Sequence, residues 1–233
     1  MISIVIPTYN HLEDFLIPCL QSIKRHTDLS QVEVIVVANG CKDNTWAYVE
    51  SLGAPFKLVW FDEGLGFTKA ANEGIKVAQG EYIVLLNNDT VLLDQRKHMW
   101  IEMLLAPFQR DPTVGLSGPH YLFDSHVNSE FIVFFCVMIH RDVFKAIGLL
   151  DEIFSPGSSE DIDFCMRAKA KGFRVAYTGE STADDVRGFN TGNFPIWHVA
   201  EGTFGTYPGW REIFTRNSKI LMDRKLKGFY NEA

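Results

Sequence analysis

Three acids fall within four residues in "SSEDIDFCMRAKAKGF": Glu160, Asp161 and Asp163. The stretch reads as a helix over 160–171, with Ser158 or Ser159 as its cap and acids in the first turn complementing the helix dipole. Asp163 is spaced to pair with Arg167 at i,i+4. A capped helix accounts for much of this pattern, but not for three mutually repelling carboxylates in one turn. A site that needs a general base or a cation does account for it. A second constellation, Asn87-Asn88-Asp89, ends an apolar run over 82–86. A carboxylate there, followed by Thr90, can hold a divalent cation through oxygen; a turn cluster of the kind common at strand ends is the alternative. His198, in "PIWHVAEGTFG", is read either as a packed core residue or as a ligand. The segment "EGLGFTKAANEG" (63–74) contains neither GxGxxG nor GxxxxGK[ST], which removes the dinucleotide fingerprint and the P-loop.

These residues need a frame, and the first half of the chain supplies one by alternation. Apolar runs at 2–7, 32–38 and 82–86 read as strands covered on both faces, and 56–61 as a further strand. Between them lie helices over 12–26, with Pro18 interrupting its middle, over 45–52, and from "GLGF" (64–67) to about Ala78, before Gly80. Strand–helix repetition with short connections implies right-handed βαβ units, an α/β fold and a mainly parallel central sheet flanked by helices. Ligands bind such sheets beyond the carboxyl ends of the strands, where Asn87-Asn88-Asp89 falls. The second half reads as a helix over 94–109, mixed strands around 113–122 and 130–139, a short helix over 141–148 and a loop over 150–159. The helix over 160–171, a strand over 173–178 and a basic helical stretch within 207–233 complete it. One domain is expected.

Composition narrows the classes. Of 233 residues, 46 % are hydrophobic and 22 % charged, as in ordinary globular chains. A net charge of −7 argues against a nucleic-acid partner, because phosphate backbones need excess Lys and Arg. Cys19, Cys41, Cys136 and Cys165 lie far apart with no CxxC, which fits reduced thiols and a cytoplasmic location. "MISIVIP" reads as a strand, not a signal peptide. "FIVFFCVMI" (131–139) is about half the length of a membrane helix and reads as a buried central strand.

Taken in order, "VIPTYN" (5–10), "VVANGCKDNT" (36–45), "GLGFTKAANEGIKVAQGEYIVLLNNDT" (64–90), "EDIDFCMRAKAKGFRV" (160–175) and "HVAEGTFG" (198–205) resemble family two of the inverting glycosyltransferases. The nearest branch is the bacterial rhamnosyltransferase-like, O-antigen and polysaccharide type. The likeness covers roughly residues 2–205. It implies the GT-A fold, with a Rossmann-like nucleotide-binding half over about 1–92, an acceptor-binding half over about 93–206 and a helical tail over 207–233. It also implies a nucleotide diphosphate-sugar donor (UDP, dTDP or GDP), Mn2+ or Mg2+, and a glycan or lipid-linked acceptor. In that family Asn87-Asn88-Asp89 occupies the position of the DxD element, with Asp89 as the metal carboxylate. Pro7, Thr8 and Asn10 match the first-strand loop that touches the nucleotide, and Asn39 and Asn72 join them as donor-binding residues. Asp161, with Glu160 beside it, matches the catalytic base, and His198 matches a histidine that completes the metal and diphosphate site. At a helix N-terminus Asp161 is expected to be ionised at neutral pH. Two positions depart from the family: Ala38 stands where an acid often reads the nucleobase, and Gly64 where the branch usually has Asn.

Two other classes compete. A sugar nucleotidyltransferase would show a glycine-rich, basic loop after the first strand, which "PTYNHLED" lacks. A non-catalytic sugar-binding module would need no general base. The basic tail "RNSKILMDRKLKGF" (216–229) reads as a peripheral contact with the inner face of a membrane, a homodimer contact or a bridge to a further domain. Aromatics in 189–197 and 203–210 read as sugar-stacking or core residues.

Overall fold

The computed structural model describes residues 1–178, 193–199 and 209–231. In chain order the first half holds β1 (Ile2–Thr8), α1 (Ile17–His26), β2 (Val32–Asn39), α2 (Thr45–Leu52), β3 (Phe56–Phe61), α3 (Phe67–Val77), β4 (Tyr82–Leu86) and β5 (Thr90–Leu92). The second half holds α4 (Met99–Arg110), β6 (Val114–Gly118), β7 (Tyr121–Asp124), β8 (Ser129–Ile132), β9 (Cys136–His140), α5 (Arg141–Ile147), α6 (Glu160–Ala170), β10 (Arg174–Tyr177), β11 (Ile196–His198) and α7 (Trp210–Leu226). Seven strands form one sheet in the order β10-β6-β9-β4-β1-β2-β3. All run parallel except β9, which pairs antiparallel with both β4 and β6. The α/β architecture with a mainly parallel sheet is therefore the one expected.

The continuous apolar runs serve two cores. Ile2, Ile4 and Ile6 of β1, Val34 and Val36 of β2, and Val84 and Leu86 of β4 enter the core on one face. The alternate residues Val5, Ile35, Val37, Ile83 and Leu85 enter the core on the other. Period-two alternation with both faces covered admits a polar residue only where it is paired: Ser3 Oγ donates to Glu33 Oε1 at 2.5 Å, and both are buried. α3 lies close on the second face: a Cβ on Gly74 would collide with Val5 and Val37, so only glycine lets this helix approach the sheet.

Four local expectations are corrected. The break at Pro18 is a change of helix type: residues Leu12–Leu16 form a π-helical turn, and Pro18 then sits in the first turn of α1, where its missing N–H costs nothing. The helix expected from residue 94 begins at Met99, after His98 in a left-handed conformation (φ 72°) whose N–H donates to His26 O. The single strand expected over 131–139 is two: Phe131 and Ile132 end the β7–β8 hairpin, and β9 starts at Cys136. Phe134 and Phe135 between them enter opposite cores, so burial on both sides hid the turn from an apolar pattern. Finally, neither Ser158 nor Ser159 caps α6 through its side chain. Both have left-handed backbones (φ 80° and 69°) and fold the chain into the helix by conformation alone.

Candidate active site

The chain order 1-2-3 runs one way from β1 and then crosses to β4 on the other side, so a crevice opens between the carboxyl ends of β1 and β4. β4 pairs with β1 only as far as Val5↔Leu85. Pro7, without an N–H, lies just beyond that ladder, where the strands part. Thr8 and Asn88 bridge the gap: Asn88 Nδ2 donates to Thr8 Oγ1 at 2.9 Å. Asn10 and His11 follow with left-handed backbones, and Asn10 Oδ1 accepts the Lys42 N–H at 2.8 Å. Asn39 is buried behind them. Its Nδ2 donates to Thr8 O at 2.7 Å, and its Oδ1 accepts from Leu65 and Gly66 N–H at 3.1 and 3.2 Å. One carboxamide thus fixes the loops after β1 and β3 together. Asn72, expected beside the donor, is bound up within the fold. It is 1 % exposed, donates to Leu150 O and accepts from Leu150 N–H, stapling α3 to the segment before α6.

Asp89 follows β4 in a tight turn closed by Thr90 Oγ1 on Asn87 O at 2.7 Å. β5 then pairs antiparallel with β11, which sets His198 opposite Thr90. The Val199 N–H donates to Asp89 O, and His198 Nε2 reaches within 3.1 Å of Asp89 Oδ1. Both residues are buried, and Asp89 Oδ1 makes no aligned hydrogen bond among the described residues. Two residues 109 positions apart in sequence thus converge a carboxylate oxygen and an imidazole nitrogen, a donor pair suited to a divalent cation. Among the described residues no group of three or more His, Cys, Asp or Glu side chains is placed to hold a metal, so the described residues offer two donors here.

The acids of α6 divide by role. Asp163 faces inward, fully buried, and accepts from Arg167 Nε at 2.7 Å, Arg224 Nη1 at 2.7 Å and Tyr230 Oη at 2.8 Å. The i,i+4 pair with Arg167 is present, with two further partners from the tail. Glu160 is buried, and its Oε2 has no hydrogen-bond partner among the described residues. Burial, then the charge of Asp161, pushes the Glu160 carboxyl up to about 8. Burial likewise lifts Asp161 to about 6, against the opposing effect of the Ile162, Asp161 and Phe134 backbone N–H groups. The backbone N–H groups at the helix N-terminus favour the ionised form, as expected, but desolvation outweighs them.

Phe134 and Phe135 join the two halves of the site, and sequence reasoning passed over them. Phe135 O accepts the Asn87 N–H at 2.8 Å, and its ring stacks on His198 with centroids 4.4 Å apart. The Phe134 N–H faces the Asp161 carboxylate. The one available signal was length: a nine-residue apolar run is longer than the commonest strand of about five or six residues. The segments at 189–192 and 203–208, and residues 200–205 after His198, lie outside the described residues. Ala38 is buried at the end of β2, in register with Thr8 and Trp60.

A mostly parallel sheet flanked by helices, with a crevice at its switch point, is the frame of the GT-A glycosyltransferases that this fold resembles. The chain belongs to glycosyl transferase family 2, whose family model matches residues 3–131. It is 26 % identical over 220 residues to the O-antigen biosynthesis protein RfbC of Myxococcus xanthus, covering 77 % of this chain and 17 % of that protein. It is 30 % identical over 127 residues to glycosyltransferase GlyG of Streptococcus pneumoniae, covering 53 % of this chain and 40 % of that one. The chain therefore spans well under half the length of these relatives. Among solved structures it is similar in fold to the mannosyltransferase PcManGT from Pyrobaculum calidifontis in complex with GDP-Man and Mn2+ (TM-score 0.61, 19 % identity, 76 % of this chain and 54 % of that one). It is also similar to GalNAc-T7 with UDP, GalNAc and Mn2+ (TM-score 0.65, 14 % identity, 76 % and 42 %).

Proposed function

We propose that this chain moves a sugar from a nucleotide diphosphate-sugar to an acceptor hydroxyl with inversion at the anomeric carbon. The donor would occupy the crevice bounded by Thr8, Asn10, Asn87, Asn88 and Asp89, built mainly from residues 1–92. The acceptor would approach from the side of α6. The observation that carries this reading is the Phe134-Phe135 joint, which ties the Asn87–Asp89 turn and His198 to Asp161 through consecutive residues. The neighbours bound to GDP-Man and to UDP support the donor class.

Asp89 and His198 would hold a divalent cation, with diphosphate oxygens completing its coordination. One imidazole in the donor set favours Mn2+ over Mg2+, which takes oxygen. Bound there, the ion would offset the charge of the leaving diphosphate. The chain's own residues do the proton work. Asp161 takes the proton of the acceptor hydroxyl as that oxygen forms its bond to the anomeric carbon. The bond from that carbon to the diphosphate oxygen breaks, and its electron pair leaves with the diphosphate. A carboxyl raised to about 6 is a stronger base than an ordinary aspartate yet is ionised at neutral pH. Glu160 holds its proton to higher pH, so the pair carries close to one charge while the site works. The O-antigen relative points to a bacterial polysaccharide or lipid-linked glycan acceptor, and a rhamnosyl or hexosyl donor fits that class.

The test begins with a thermal-shift screen of UDP-GlcNAc, GDP-mannose and dTDP-rhamnose, with and without Mn2+. Turnover of the selected donor is then read as released nucleotide diphosphate. Asp161→Asn keeps the shape and removes the basicity. It is expected to lose at least about a hundredfold in turnover while donor affinity stays near that of the unaltered chain. Near-normal turnover in Asp161→Asn would remove it as the base.

A further inference from the structure

α7 reaches back into the loop that launches the acid pair. Asn217 lies on the buried face of that helix with Ile213, Ile220, Leu221 and Arg224, and is itself 0 % exposed. Its Nδ2 sits 2.8 Å from Phe154 O, 2.9 Å from Gly157 O and 3.0 Å from Ser158 O. Two hydrogens thus serve three carbonyls, all from the turn before α6. Arg216 fixes the carboxamide the right way round: its Nε donates to Asn217 Oδ1 at 2.9 Å, and its Nη2 donates to Ser155 O at 2.5 Å. On the far side the same loop is held by the donor-side segment, through Phe67 N–H on Pro156 O at 2.6 Å and Ser155 Oγ on Leu65 O at 3.1 Å. Between these anchors stand Ser158 and Ser159, consecutive side-chain-bearing residues in the left-handed region. Such a pair is disfavoured in isolation and persists only where its surroundings dictate it. Glu160 and Asp161 come next, so the orientation of both carboxyls follows from that turn.

We propose that Asn217 is a positioning residue for the Glu160–Asp161 pair: its buried carboxamide latches the strained Ser158-Ser159 turn and so aims the carboxyls that open α6. The C-terminal helix is then a structural part of the active site. This inference rests on the reading of Asp161 as the base.

The test compares Asn217→Ala, the glycine pair Ser158→Gly/Ser159→Gly, and their combination, in the whole chain. Glycine adopts the left-handed region without strain, so it can relieve the need for the latch. Turnover of the donor selected by thermal shift is measured as released nucleotide diphosphate, per molecule competent to bind donor. Asn217→Ala is expected to lower kcat at least about tenfold with donor KM changed by less than about threefold. The glycine pair alone is expected to stay within about threefold of the unaltered chain, and in the Asn217→Ala background to restore most of the lost kcat. A residue that merely docks α7 would show the same proportional loss with and without the glycines. That result, or an unchanged kcat in Asn217→Ala, overturns the proposal. Should the alanine variant not fold, Asn217→Ser, which keeps one donor, carries the same comparison, with a loss of at least about threefold expected. The base assignment fails separately, on Asp161→Asn retaining turnover. The latch is also read without turnover, as faster hydrogen exchange over residues 155–165 in Asn217→Ala that the glycine pair does not reproduce.

Discussion

Removing the Asp163 carboxylate should be the most costly single change at the base of α6. Its side chain is 0 % exposed, and it is shared by Arg167 and Arg224, whose side chains are 13 % and 18 % exposed. Arg167 keeps Ile147 O and Leu149 O as acceptors, and Arg224 keeps Asp151. Asp163→Ala nevertheless leaves the largely buried Arg167 without a carboxylate, takes one of two carboxylates from Arg224 and strands the Tyr230 hydroxyl. Leaving a buried charge without its partner costs about 3–5 kcal/mol. Removing Arg224 alone leaves Asp163 with Arg167 and Tyr230, so Arg224→Ala should cost only about 2 kcal/mol, the worth of a charged hydrogen bond, along with its stacking on Phe154 and Phe229. The two changes share one contact, so their sum should exceed the cost of the double variant by at least about 1 kcal/mol. In urea, with a slope of about 2.5 kcal/mol/M, a loss of about 4 kcal/mol moves the midpoint down by about 1.6 M. Circular dichroism and tryptophan fluorescence must report the same transition for that conversion to hold. A midpoint shift under about 0.4 M for Asp163→Ala, or strict additivity in the cycle, would refute the view that this network fastens α7 to α6.

Two further outcomes are expected. Because the folded Glu160 carboxyl is raised to about 8, the folded chain holds a proton between pH 4.5 and 8 that the unfolded chain has released, so stability should fall as pH rises through that window. Glu160→Gln should flatten the fall of the urea midpoint between pH 6.5 and 8; equal slopes in both proteins would contradict the assignment. Asp89→Ala should abolish the gain in donor affinity that Mn2+ confers, read by calorimetry with the screened nucleotide sugar, and unchanged Mn2+ dependence would take Asp89 out of the site.

What could be read from the residues, and what could not, divides along physical lines. β1, β2 and β4 were legible because burial on both faces writes a nearly continuous apolar run, broken in β1 and β2 only by the paired Ser3 and Glu33. The Asn87–Asp89 turn was legible because polar groups interrupt such a run only at its end. The i,i+4 partner of Asp163 was legible because helix geometry is local. The turn at 133–135 was not, since Phe134 and Phe135 are as apolar as the strands they separate. The direction of β9 depends on a distant ladder. Asn217 left a faint mark, a polar residue on the apolar face of α7, but its three acceptors lie about 60 positions upstream. The basic tail read as a membrane, homodimer or interdomain contact, and its local spacing did not show that Arg216 bonds to the loop before α6 and Arg224 to α6 itself. The proton affinity of Asp161 hinged on desolvation, which no local spacing reveals.

The reversed strand β9 bears on how this family can be recombined. The family match ends at residue 131, but the strand that joins β4 to β6 is supplied by residues Cys136–His140. A chimera spliced at 131 would take β1 to β4 from one parent and the middle of the sheet from another. Every β4–β9 pair, from Tyr82↔His140 to Leu86↔Cys136, would then cross the seam. Without a matching β9, the bare edge of β4 would recruit strands from other chains. A workable chimera therefore carries residues 1–140 as one cassette, and Phe134 and Phe135 travel with the crevice they connect to the acids of α6.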